Sequence, residues 1–188
     1  MNRRFSIAAF ILFAGCAGGP SPDLNSRDPY DRYLGALAAV SSRSAADWPK
    51  VEALLRDPDP LARTGAVVAV MQSGRPEILA LLTPMLSDPD PGVRSEAIRA
   101  VASLKNPASV APLAAALAKD PAVETRRTAA IGLGAFPDAP EVRAALLAAM
   151  SDGAAGVAYN AYRSLIRVTG RENLPRSRAE AEEALKRS

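Results

Sequence analysis

The sequence contains no histidine and a single cysteine, Cys16. Without histidine, the Ser-His-Asp and Cys-His nucleophile–base pairs and the usual zinc ligand sets are excluded, and one cysteine closes no internal disulfide. A Gly-rich phosphate loop and a C-x-x-C pair are also missing, and Lys50, Lys105 and Lys119 stand in no context that would activate a lysine base. These absences lead us to expect a protein that is not an enzyme and uses neither cofactor nor metal. Aromatic residues make up only 5% of the chain although 48% is apolar. Its core must then consist of Ala, Leu and Val, small side chains that suit closely packed helices.

The formal charge of +3 owes much to Arg3 and Arg4, which precede the apolar run 5–14. That run is shorter than the roughly 20 residues of a membrane-spanning helix, and it meets the small residues Ala14, Gly15, Cys16 and Ala17. A charged start, a short apolar run and small residues read as a cleavable signal peptide over 1–15. Removing Arg3 and Arg4 from 23 basic residues leaves 21 against 20 Asp and Glu, a net charge of +1. So small an excess, together with an extracytoplasmic address, argues against a nucleic-acid partner. Residues 16–27 are rich in Gly, Pro, Ser and Asn without periodicity, as expected of a flexible tether.

The stretch FAGC (13–16) resembles the lipobox of bacterial lipoproteins, with Phe13 where Leu is usual. The resemblance implies acylation of Cys16 and a membrane-anchored, extracytoplasmic protein; Ala17, in place of Asp, favours the outer membrane where the cell has one. Ordinary secretory cleavage after Ala17, discarding Cys16, is the alternative.

What the chain has in abundance is repetition. Asp57, Asp88, Asp120 and Asp152 are spaced by 31, 32 and 32 residues. Six positions after the first three lie Arg63, Arg94 and Arg126, with Ala158 breaking the series, and nine positions after all four lie Ala66, Ala97, Ala129 and Ala161. Thirteen after come Val70, Val101, Leu133 and Leu165. Agreement at several columns over four copies identifies an internal repeat. Val93, Ala97, Val101 and Leu104 mark the buried stripe of a second helix, B, in each copy, while Ile78, Leu82, Met85 and Leu86 mark a preceding helix, A. Asp59-Pro60 and Asp90-Pro91 read as N-caps followed by proline at the first helical position, not as calcium ligands, since the further oxygens and loop glycine of an EF-hand are missing. Pro49, Pro84 and Pro112 predict A helices that are kinked or start late.

The motif LSDPDPGVRSEAIRAV (86–101) resembles the short bacterial form of the HEAT repeat, found also in bilin-lyase-like proteins. The resemblance implies an all-α fold, an α-solenoid of about four helix pairs over roughly 45–74, 75–105, 106–137 and 138–170. Within a domain spanning 28–188, an unpartnered helix at 28–40 and the segment 171–188, with a Ser177 to Glu180 capping box, complete the ends. It also implies that Asp57, Asp88 and Asp120, with Arg63, Arg94 and Arg126, form a structural ladder between neighbouring repeats.

In such arrays the B helices line the concave face. Positions seven, eleven and fifteen after each aspartate are expected to project there, giving Ser95, Arg99 and Ser103, then Arg127, Ile131 and Ala135, then Tyr159, Arg163 and Arg167. Arg and Tyr are enriched at interface anchors, so Arg99, Arg127, Tyr159, Arg163 and Arg167 are the candidate protein-binding residues. The alternative is a solvated face that carries Arg for solubility. The functional expectation is a lipid-anchored, protein-binding scaffold whose partner offers an acidic segment; an accessory, chaperone-like or lyase-like subunit of an enzyme system is the alternative. Cys16→Ser should abolish labelling by a fatty-acid analogue and release the protein from membranes. Persistent labelling would exclude the lipobox reading.

Overall fold

A computed structural model describes residues 22–187. Cys16 and the expected signal peptide lie outside the described residues. Among those residues all regular structure is helical, ten α-helices and two 3-10 turns, and no helix is long and apolar enough to cross a membrane. The fold is of the α-solenoid class. The described residues divide into two compact units, 22–78 and 79–187.

In the first unit, α1 (Pro29–Ser41) packs along α3 (Pro60–Gln72), and α2 (Trp48–Leu54) packs against both. The close approach of α1 and α3 is made possible by Gly65, where a Cβ would stand 2.8 Å from the Tyr33 Cα. Trp48 is buried and carries the Arg75 guanidinium 4.2 Å above its ring, a cation–π contact.

The helix at 28–40 is therefore partnered. It begins as α3 and α5 do, with an aspartate N-cap and a proline after it: the side chains of Asp28, Asp59 and Asp90 accept from the backbone N–H two residues on. The last part of the expected tether 16–27 is not free. Residues 23–27 are held on α1, where Asp23 N–H donates to Asp31 O, Ser26 Oγ donates to Asp31 Oδ2 and Arg32 Nη1 donates to Ser26 O and Arg27 O. Gly35 admits this strap, because a Cβ there would lie 2.7 Å from Leu24 N. Polar composition alone cannot distinguish a free linker from one whose backbone is bonded to a helix.

In the second unit, α4 (Ile78–Leu82) passes into a 3-10 turn (Thr83–Ser87), since Pro84 lacks the N–H that would continue the helix. The B helices α5 (Pro91–Ser103), α7 (Val123–Leu133) and α9 (Ala155–Thr169) pack in sequence, α5 on α7 and α7 on α9. The A helices α6 (Val110–Lys119) and α8 (Pro140–Ala149) cover them, and α10 (Arg178–Lys186) packs on α8. Ala97, Val101, Leu113, Ala129, Leu133, Leu146, Ala161 and Leu165 are fully buried between these layers.

The expected capping box at Ser177 is absent: Ser177 is the N-cap of α10 but its side chain makes no capping bond. The end is closed otherwise. α9 stops at Gly170 in the left-handed region (φ 68°), Tyr162 donates its hydroxyl to Leu174 O, and Arg171 donates to Ala184 O.

Gly65→Val should destabilise the protein by about 1–3 kcal/mol through overpacking. The control is Gly153→Ala, where a Cβ meets nothing within 4 Å. Equal urea midpoints for the two variants would mean that α1 and α3 are free to move apart.

Candidate functional site

Two constellations of charge emerge, one turned into the fold and one outward. In the inward set, Arg94 and Arg126 each serve two turns. Arg94 Nη1 donates to Asp88 O and Pro89 O at its own turn, at 2.8 and 3.1 Å, while Nε and Nη2 form a bidentate pair with Asp120 at 2.7 and 2.9 Å. Arg126 repeats the arrangement with Asp120 O and Pro121 O behind it and Asp152 ahead, at 2.8 and 3.0 Å. Asp120 and Asp152 in turn accept the N–H of Ala122 and Ala154, which start the B helices that have no aspartate cap. In the first unit Arg63 Nη1 holds Asp57 O and Pro58 O, and Asp57 is paired at 2.8 Å with Arg32. Asp88, in the second unit, is buried and its Oδ1 accepts the Asp90 N–H.

Arg32 is the member that column-by-column reading passed over. It lies 31 residues before Arg63, so one further step of the same period finds it. Ser26 likewise stands 31 before Asp57, and its Oγ accepts the Asp28 N–H as Asp57 Oδ1 accepts that of Asp59.

Burial tends to raise the Asp57 and Asp120 carboxyls, but bonds from Arg32 and Arg94, joined by backbone N–H groups, outweigh it and hold both below the usual carboxylate range. The Arg126 bond does the same for Asp152.

The outward set lies on α5, α7 and α9. Arg99, Arg127 and Arg167 come together around a groove of about 390 Å³ whose floor is small and apolar, with Ala102, Gly132 and Ala135. Ile131, 44% exposed, stands in the same groove. Arg99 pairs with Glu96 at 2.8 Å and Arg127 with Glu124 at 2.7 Å, each one turn back on its own helix. Arg167 is exposed, and no ion pair is found for it among the described residues. A Cβ at Gly134 would meet the Ser164 side chain first, with its Cβ at 2.7 Å, and would stand 3.2 Å from Arg167 Nη1, so this glycine admits α9 against the end of α7 with the guanidinium beside it.

Tyr159, 57% exposed, and Arg163, also exposed, do not line this groove. Tyr162 belongs to the closure of the chain end. Ser95 departs from the expected outward position: it is 4% exposed, with Oγ 3.3 Å from Thr125 Oγ1, because α5 and α7 pack closely enough to bury this offset. No single offset from the aspartate column marks the groove. Its arginines come from offsets eleven, seven and fifteen, and only helix packing brings them together.

The family described as HEAT repeats matches residues 49–124 and 110–188. Among solved structures, the chain is similar to one described as the complex of CpcE and CpcF of phycocyanin lyase from Nostoc sp. PCC7120. That similarity has 25% identity and a TM-score of 0.53 and covers 80% of this chain and 88% of the other. No curated protein matches the sequence.

Breaking a buried pair leaves a charge without its partner, so Arg94→Ala should cost about 3–5 kcal/mol at neutral pH. Because the folded-state pKa of Asp120 is depressed, the wild-type rung contributes fully above the unfolded value of about 4 and is lost as pH falls through the folded one. In Arg94→Ala the isolated carboxyl gains from protonation instead. The stability gap between the two proteins, followed by urea denaturation, should narrow from pH 7 to pH 4, and a gap independent of pH would mean that the rung is not held by charge.

Proposed function

The chain belongs to the HEAT-repeat family, and from that premise we propose that it is a non-enzymatic protein-binding scaffold, held at an extracytoplasmic membrane surface by a lipid on Cys16. The observation that carries the binding reading is the outward face of α5, α7 and α9. Three arginines there surround an open apolar floor, and Tyr159 and Arg163 stand exposed on α9. Arg presents bidentate donors to carboxylates, and Tyr offers rigid contact area at low entropic cost, so the partner class is a protein with an acidic segment. The sequence supports the non-enzymatic part, since it supplies no histidine base, phosphate loop or paired cysteines. The FAGC stretch supports the anchor and, with Ala17 after the cysteine, an outer-membrane address where such a membrane exists.

A second reading, an accessory subunit of an enzyme system, is favoured by the likeness to the CpcE–CpcF complex of phycocyanin lyase. A coloured group retained through purification and seen by visible absorbance would select it.

Affinity capture from detergent-solubilised membranes, with mass spectrometry, tests the scaffold reading. Wild type should retain a specific protein, and Tyr159→Ala/Arg163→Ala should weaken its binding by roughly 30-fold per hot-spot side chain, while Glu172→Ala binds as wild type. Equal binding by the double variant, with an unchanged thermal melt, would remove Tyr159 and Arg163 from the interface.

A further inference from the structure

The groove across α5, α7 and α9 is chemically divided. Two of its arginines already have carboxylates, since Arg99 is matched by Glu96 and Arg127 by Glu124, and Glu124 itself lines the groove. Arg167 carries no such internal carboxylate among the described residues, and its guanidinium lies beside Gly134 at the end of α7. Beside the three cations stands Ile131, an exposed aliphatic side chain over the small residues Ala102, Gly132 and Ala135. Cations alone would serve any anion. An aliphatic side chain set among them selects a ligand that carries apolar surface next to its negative charge.

We propose that this groove seats a short acidic segment of a partner protein, in which an aliphatic side chain rests on Ile131 and Ala135 while a neighbouring carboxylate takes the bidentate fork of Arg167. Glu96 and Glu124 are built-in competitors: further carboxylates of the segment must displace them from Arg99 and Arg127. Exposed pairs one turn apart are weak, so displacement is easy for a segment with several carboxylates and unrewarding for one with a single charge. This proposal rests on the protein-binding reading and gives its partner a chemistry. A nucleic-acid strand could satisfy the arginines through its phosphates, but its backbone would leave Ile131 unmatched.

The probe is a fluorescein-labelled, acetylated peptide of four Leu-Glu-Glu units, with Gln-for-Glu and Ala-for-Leu versions, followed by anisotropy against the folded protein. The full peptide should bind, and each altered peptide should bind roughly tenfold or more weakly. Arg167→Glu should weaken the full peptide at least tenfold, and Glu124→Gln should strengthen it roughly threefold by removing a competitor. Ala135→Trp, which fills the groove without changing charge, should abolish binding. Circular dichroism melts confirm that each variant is folded. Affinity that is indifferent to both Arg167→Glu and Ala135→Trp would overturn the proposal, as would tighter binding of a single-stranded oligonucleotide. A protein captured from membranes by wild type and still retained by the Arg167→Glu/Ala135→Trp variant would overturn the groove assignment while leaving the scaffold reading intact.

Discussion

The structure depends on one guanidinium that does two things. In each rung, one nitrogen of the arginine holds two backbone carbonyls of the turn before its own helix, and the other two nitrogens grip the aspartate that opens the next turn. That aspartate uses a carboxylate oxygen to fix the backbone two residues on. Turn conformation and repeat-to-repeat pairing are thus set by the same side chains. A lysine could not substitute, because the arrangement uses donors in fixed, diverging directions. The aspartates would be expensive to bury alone; burial raises the carboxyls of Asp57 and Asp120, and only the arginine bonds and the backbone N–H bonds together hold them below the usual carboxylate range.

With the charges committed to the turns, helix contacts can be made by small side chains. Ala66, Ala97, Ala129 and Ala161 are fully buried at one column, and Gly65 and Gly134 admit neighbours closer than a Cβ would allow. The scarcity of aromatics follows from this construction, since closely spaced helices leave no room for many rings. The same spacing shapes the outward groove, where Gly132 and Ala135 keep the floor low enough for Arg99, Arg127 and Arg167 to surround it.

Whatever followed the 31- to 32-residue period was legible in the sequence. The aspartate and arginine columns, the Asp-Pro helix starts and the buried alanine stripe all depend on local spacing, and the helices carry them where spacing puts them. Arg32 and Ser26 obey the same period, but Ser26 sits where composition reads as linker and Arg32 on a helix expected to have no partner, so the ladder was expected to start one step later. The strap 23–27 was not legible because most of its bonds are made by its backbone groups, which every sequence possesses. Ser177 shows the reverse error: the capping-box spacing is present, yet its side chain makes no capping bond and the chain end is fixed by Tyr162 and Arg171 instead. The candidate arginines were legible one by one. Their meeting was not, because three different offsets converge only after α5, α7 and α9 have packed.

If the paired charges order the array, the strength of a rung must exceed the sum of its separate parts. A double-mutant cycle on Arg94 and Asp120 isolates that strength from the bonds Arg94 makes to its own turn, which are lost equally in both arginine-deleted members. Measured by urea denaturation at pH 7, the cycle should give a coupling energy of about 2 kcal/mol or more, as expected for a bidentate buried pair. Additivity within about 0.3 kcal/mol would contradict the account, leaving the turn carbonyls and the alanine stripe to hold the repeats together on their own.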